Sequence, residues 1–230
     1  MIATSRFVFL HLHKSGGTFV NEWLLRFFPD ARPIGYHLPR REIPAESSGL
    51  PVLGLVRNPW SYYVSWYAFQ ARKAEKNMLF RVLSDEGRLD FDGTIRTMLA
   101  LGSGSDQLAA IVSALPASYT NRGLNLPGPA LAEIEGTGLG FYSFLYRYMY
   151  AGGGEPRIVT METMREDLPG AVESMSVSLK PEAIAYLAAA PARNSSEHRP
   201  YQDYYGSELR ELVAQRDGEL IERFRYRFGQ

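Results

Sequence analysis

Apolar positions fall into two regimes along this chain: short unbroken runs bounded by turn residues, and longer stretches in which large side chains recur every three or four positions. The first run, Arg6 to Leu12, contains FVFLHL and stops before the pair Gly16-Gly17, which predicts a buried strand. Beyond the glycines, Phe19, Val20, Trp23, Leu24, Phe27 and Phe28 keep helical spacing until Pro29, so a helix follows the strand. Pro33 to Leu38 predicts a second short strand, followed by a polar loop with Pro39, Pro44 and Ser47-Ser48-Gly49. Pro51 to Val56 repeats the opening plan: PVLGLV runs straight into Asn58-Pro59, a helix start with proline at the first helical position. That helix is expected to continue from Trp60 to about Leu83.

Between residues 84 and 138 helical patterns are short, near Thr94 to Leu101 and Gln107 to Leu115, and are separated by Gly, Ser and Pro clusters. Leu139 to Tyr150 predicts a dense aromatic helix ended by Gly152-Gly153-Gly154. Arg157 to Met161, RIVTM, predicts another strand, and two or three helices follow, the last from about Ser207 to Arg225. Strands alternating with helices give an α/β class, with a central, mainly parallel sheet flanked by helices. The expected organisation is one domain over residues 1–230 with a helical and loop insertion at roughly 84–138.

Composition narrows the chemistry. The 230 residues include 25 Lys+Arg, 25 Asp+Glu and no cysteine. Balanced charge gives no reason to expect a nucleic-acid or membrane coat. The absence of cysteine excludes disulfides, thiolate metal sites and a cysteine nucleophile. No apolar stretch approaches the ~20 residues that span a bilayer, so a soluble, cytoplasmic protein without a transmembrane segment is expected; the oligomeric state is open. Any anion site must be local.

The segment His13-Lys14-Ser15-Gly16-Gly17-Thr18 lies where a strand feeds a helix, a place where main-chain N–H groups and the helix dipole attract anions. It is not the GxxxxGK[ST] triphosphate loop, because the lysine precedes the glycines. Lys14 is one of four lysines beside 21 arginines, and a flexible ammonium suits charge that builds on a leaving oxygen. Arg57-Asn58-Pro59 with Ser65 eight residues after the arginine places a forked cation at a strand end and a hydroxyl two turns into the next helix, a grip for a second phosphate. The blander alternatives are a tight turn and an ordinary capped helix start. His11 and His13 invite a metal reading, but two histidines beside a lysine with no third ligand in sequence make a poor site, and no metal is expected. The aromatic clusters Tyr62, Tyr63, Trp66, Tyr67 and Tyr142 to Tyr150 weigh towards core packing rather than ligand stacking.

H-x-x-K-S-G-G-T at His11 to Thr18 and R-N-P-x-x-x-x-x-S at Arg57 to Ser65 resemble the two donor-binding signatures of sulfotransferases that use 3′-phosphoadenosine 5′-phosphosulfate (PAPS). The C-terminal third, with RIVTM and Glu162, Arg193-Asn194-Ser195-Ser196, His198-Arg199, Tyr201 and Tyr204-Tyr205, is similar to bacterial relatives of the carbohydrate sulfotransferases. The resemblance implies a nucleotide-kinase-type sheet, three-layered and P-loop-like, with Lys14, Ser15, Gly16, Gly17 and Thr18 on the 5′-phosphosulfate. Arg57 and Ser65 would take the 3′-phosphate, and Arg193, Ser196 and Arg199 would close over the nucleotide. His13 departs from the proline common at that position. The implied reaction is sulfuryl transfer to an acceptor hydroxyl or amine of a small molecule or glycan, a carbohydrate or glycolipid being the expected class. An alcohol acceptor needs a base; His37, lying between the two motifs, is the first candidate by the same resemblance, and Glu162 is the competitor. A P-loop-type small-molecule kinase and a non-catalytic adenine nucleotide-binding module remain the alternative readings.

Overall fold

A computed structural model describes residues 1–191 and 198–229. In chain order the elements are β1 (Ile2–Ala3), β2 (Val8–Phe9), α1 (Gly17–Phe27), β3 (Arg32–Pro33), β4 (Val52–Val56), α2 (Pro59–Ala71), α3 (Met78–Leu83), α4 (Phe91–Ala100), α5 (Asp106–Ala114), α6 (Gly128–Ala132), α7 (Phe141–Tyr150), β5 (Arg157–Thr160), α8 (Met164–Glu173), α9 (Pro181–Ala189), α10 (Ser207–Arg216) and α11 (Gly218–Phe224). The strands form one sheet in the order β3-β1-β2-β4-β5. β2, β4 and β5 run parallel, while β1 lies antiparallel between β2 and β3. The α/β class is as expected; the unforeseen strand is β1. A turn at Thr4 folds it onto β2, with the Thr4 N–H and hydroxyl both donating to the Phe7 carbonyl at 2.9 Å.

The chain divides into two compact units: Met1–Arg57 with Asn121–Asn125 and Tyr146–Ser195, and Asn58–Thr120 with Leu126–Leu145 and Ser196–Gln230. In the first, successive residues of β4 face opposite ways. Leu53 and Leu55 join Phe19, Val20, Trp23 and Leu24 of α1 and Leu168 and Val172 of α8 in one apolar core. The Trp23 indole N–H donates to the Ala183 carbonyl at 3.0 Å, tying α1 to α9. On the other face of β4 stands Gly54, where a Cβ would lie 2.5 Å from the Tyr150 ring. A glycine in the strand therefore lets that ring lie against the sheet, and the Tyr150 hydroxyl is 2.9 Å from both the N–H and the carbonyl oxygen of Leu55. The expected strand at Pro33 to Leu38 shrinks to β3, because beyond Ile34 the backbone of Tyr36 is claimed by asparagine side chains rather than by a neighbouring strand.

In the second unit, Asn58 caps α2: its side-chain oxygen accepts from the N–H of Trp60 at 3.1 Å and of Ser61 at 3.4 Å. The single helix expected to reach Leu83 is two helices. The polar run Arg72 to Asn77 has no apolar face to bury. The Lys76 ammonium bonds the carbonyls of Ala71 and Lys73 at 3.2 and 3.4 Å, and Asn77 accepts from the Phe80 N–H at 2.8 Å to start α3. A new cap is favoured over a solvent-exposed continuation. The last predicted helix also breaks, at Asp217, between α10 and α11. That carboxylate is buried and accepts from the Tyr63 hydroxyl at 2.7 Å and the Ser143 N–H at 2.8 Å. Gly140 makes room for it, since a Cβ there would sit 2.5 Å from an Asp217 oxygen. Tyr62 and Tyr142 stack with centroids 3.8 Å apart and are fully buried, as are Tyr63 and Trp66; these aromatics are core.

Candidate functional site

Within the first unit the parallel strands deliver three chain segments to one end of the sheet, the carboxyl end at which open α/β sheets bind ligands. After β2 the chain runs through His11 and Leu12 into a turn at residues 13 to 16, then directly into α1. Lys14 and Gly16 both take left-handed backbone, at φ 62° and 84°, so the turn is tight and Gly16 sits in the conformation that suits glycine. Gly17 is required for another reason: a Cβ there would fall 2.1 Å from Cγ of His11. The imidazole therefore lies on the first residue of α1. Ser15 is buried, Lys14 and Gly16 are half-buried, and Thr18 is exposed.

After β4 comes Arg57, whose guanidinium Nη1 donates to the Lys14 carbonyl at 3.3 Å. The two motifs, more than forty positions apart, are thus in contact through a cation on the loop backbone. After β5 the Met161 N–H donates to the Val56 carbonyl at 2.7 Å, and its side chain lies against Gly16, 3.2 Å from where a Cβ would stand. Glu162 follows at once and is exposed. Ser65 is buried in α2, in the second unit. Arg199 also belongs to that unit, its guanidinium 5.1 Å from the Tyr204 ring centroid. Arg193 and Ser196, with Asn194 and Ser195, lie outside the described residues.

His37 is buried and takes left-handed backbone at φ 48°. Its ring centroid is 4.5 Å from that of His11, 5.4 Å from that of His13 and 4.1 Å from that of Tyr36. Three of the four histidines therefore meet beside the Lys14 loop, where the linear sequence offered only two. Among the described residues no group of three or more His, Cys, Asp or Glu is arranged to hold a metal ion. The His37 Nδ1 lies 3.1 Å from the His11 carbonyl oxygen. A carbonyl can only accept, so Nδ1 carries the proton and Nε2 carries the lone pair.

Burial sets the protonation of the cluster. Desolvation lowers His37 to about 4, against a smaller opposing pull from the His11 carbonyl. His11 is held well below the ordinary histidine range, first by burial and then by repulsion from His37. The amino group of Met1, which donates to the Gly35 carbonyl, is lowered by burial to about 6. All three bases are neutral at neutral pH.

Three residues here escaped the sequence reading: Tyr36, Asn121 and Asn125. The Asn121 side-chain oxygen accepts from the Tyr36 N–H at 3.1 Å and the Asn125 amide donates to the Tyr36 carbonyl. The asparagines stand in a stretch without periodicity, flanking Arg122-Gly123-Leu124, and turn chemistry was their only trace.

No family model matches the chain, and no curated protein matches it in sequence. Among solved structures it is similar to a mouse sulfotransferase, SULT7A1, complexed with PAP, at TM-score 0.46 and 10% identity over 96% of this chain and 88% of that one. This is a likeness of outline too loose to carry a functional assignment. Among the described residues no helix is long and apolar enough to cross a membrane.

Proposed function

We propose that this chain transfers a sulfuryl group from PAPS to an acceptor hydroxyl, most simply that of a carbohydrate or glycolipid. The observation that carries the reading is the contact between the two motifs: Arg57 on the Lys14 carbonyl, at the ends of the parallel strands, with His37 one ring away through His13. By the resemblance, the 5′-phosphosulfate falls to Lys14, Ser15, Gly16, Gly17 and Thr18, at the positive end of α1. By the same resemblance, Arg57 takes the 3′-phosphate.

The acceptor oxygen forms a bond to sulfur as the bond from sulfur to the bridging phosphate oxygen breaks, leaving 3′,5′-adenosine bisphosphate (PAP). Lys14 follows the charge on that departing oxygen. The acceptor proton goes to Nε2 of His37, which has its lone pair because Nδ1–H is engaged by the His11 carbonyl. A base lowered to about 4 is weak in the ground state, so it works when the acceptor proton is already loosened by bond formation to sulfur. Glu162 borders the same loop through Met161 and is the alternative base.

Thermal melting with nucleotides tests the reading. PAP should raise the melting temperature and adenosine 5′-monophosphate should raise it far less, since a charge-assisted phosphate contact contributes about 1.5 to 3 kcal/mol. Equal stabilisation by the two would overturn the 3′-phosphate grip, and stabilisation by magnesium-ATP alone would replace the reading with the kinase.

A further inference from the structure

Three hydrogen bonds close a ring at the residue that precedes His37. The Tyr36 N–H donates to Oδ1 of Asn121 at 3.1 Å, the Asn121 N–H donates to Oδ1 of Asn125 at 2.9 Å, and Nδ2 of Asn125 donates to the Tyr36 carbonyl. Both peptide groups around Tyr36 are thereby pinned, including the one that enters His37. Gly35 belongs to the arrangement, because a Cβ there would lie 2.8 Å from the Asn121 oxygen. Asn125 is buried.

The ring has a conformational purpose. His37, Asn121 and Asn125 all have positive φ, at 48°, 56° and 53°. Asparagine visits that region more readily than other non-glycine residues, whereas histidine stays there only when its surroundings over-determine it. Two constraints do so: the asparagine ring holds the backbone entering His37, and the His11 carbonyl holds the imidazole at Nδ1. Release of the first leaves the ring free to turn away from the second.

We infer that Asn121 and Asn125 are positioning residues for His37, holding its backbone in the one conformation from which Nδ1–H meets the His11 carbonyl and Nε2 is presented for proton transfer. The inference rests on the reading of His37 as the base. Neither asparagine touches the reacting atoms; both act through the Tyr36 main chain.

The test joins a spectroscopic readout to a kinetic one. Asn125→Asp has nearly the same size and replaces the donating amide with a carboxylate oxygen aimed at a carbonyl. Asn121→Ala removes the acceptor for the Tyr36 N–H, and Asn121→Asp restores it. For each, nitrogen–proton NMR reports the tautomer of the His37 imidazole, and PAPS hydrolysis gives kcat and KM with water as acceptor. Asn125→Asp and Asn121→Ala should lose the single Nδ1–H tautomer and lower kcat by about ten- to a hundredfold, with KM for PAPS within about twofold. Asn121→Asp should recover most of both. Should Asn125→Asp fail to fold, the Asn121 pair carries the same readouts. An unchanged His37 spectrum in Asn125→Asp and Asn121→Ala overturns the clasp, whatever the activity. A changed spectrum with wild-type hydrolysis in these variants and in His37→Ala instead overturns the base assignment, and with it the catalytic role of the asparagines.

Discussion

Each of the two units buries a titratable cluster, and the clusters differ in what surrounds them. In the first unit His11, His13 and His37 crowd beside the Lys14 loop, next to a Tyr36 side chain that is 42% exposed. In the second, Asp217 is sealed between the Tyr63 hydroxyl, the Ser143 N–H and the missing side chain of Gly140. Burial shifts both in the same physical sense, disfavouring charge: it lowers His37 to about 4 and raises Asp217 to about 6. Both lie near a helix N-terminus, but the histidine cluster borders the exposed Tyr36 and the half-buried Lys14, whereas Asp217 is completely enclosed by its partners. A perturbed pKa marks a candidate site when an acceptor can approach it, and a structural joint when packing closes it off.

The largest break in that comparison should come at His37. His37→Ala should bind PAP normally, yet lower PAPS hydrolysis and alcohol sulfation by about a hundred- to ten-thousandfold. With the base lowered to about 4, the wild-type rate should hold as pH falls through 6 and drop only near 4, well below the ordinary histidine limb. Full activity in His37→Ala with loss in Glu162→Gln would transfer the role to Glu162.

Lys14→Ala should come next, lowering turnover by about a hundredfold while changing PAP affinity little, since the ammonium matters most as charge develops on the bridging oxygen. Near wild-type turnover would reduce the loop to a structural turn.

The smallest effect sharpens the contrast through stability. Asp217 is raised in the fold, so its protonated form is favoured there. Its contribution is full below the unfolded value near 4 and is lost as pH rises through about 6, by about 3 kcal/mol at most. His37 has the opposite sign. The fold holds it neutral, so stability is full above the unfolded value of about 6.5 and falls as pH drops towards 4, by a similar amount. Melting curves between pH 4 and 7 should therefore change slope in opposite directions for Asp217→Asn and His37→Gln. Asp217→Asn removes the loss on raising pH, and His37→Gln removes the loss on lowering it. Identical profiles for the two would mean that the clusters are not titrating as burial dictates.

Local chemistry made much of the fold legible. The run before Gly16-Gly17, the apolar spacing from Phe19 to Phe28, and Asn58-Pro59 after PVLGLV each carry their own start or stop signal, and β2, α1, β4 and α2 appear where those signals stand. The α2–α3 and α10–α11 breaks were hidden because Arg72 to Asn77 carries no Gly or Pro stop signal and the lone Gly218 after Asp217 is a weak one. The first is decided by competing caps and the second by a carboxylate whose partners, Tyr63 and Ser143, lie 154 and 74 residues away.

The sequence by itself determined that a phosphate-sized anion site was to be sought at Lys14 to Thr18 and Arg57, because strand ends, glycines and helix starts are properties of neighbouring residues. The likeness of two short motifs to the donor-binding signatures of PAPS-dependent sulfotransferases made sulfuryl transfer the chemistry to test. Only the tertiary structure decided that Arg57 rests on the Lys14 carbonyl, that His11 rather than an open space faces Gly17, and that His37 joins two other imidazoles in the tautomer with Nε2 unprotonated. The physical reason is range. A hydrogen bond or desolvation term depends on atoms brought within a few ångströms by the whole fold, and the asparagines that hold the backbone of His37 stand more than eighty residues from it along the chain.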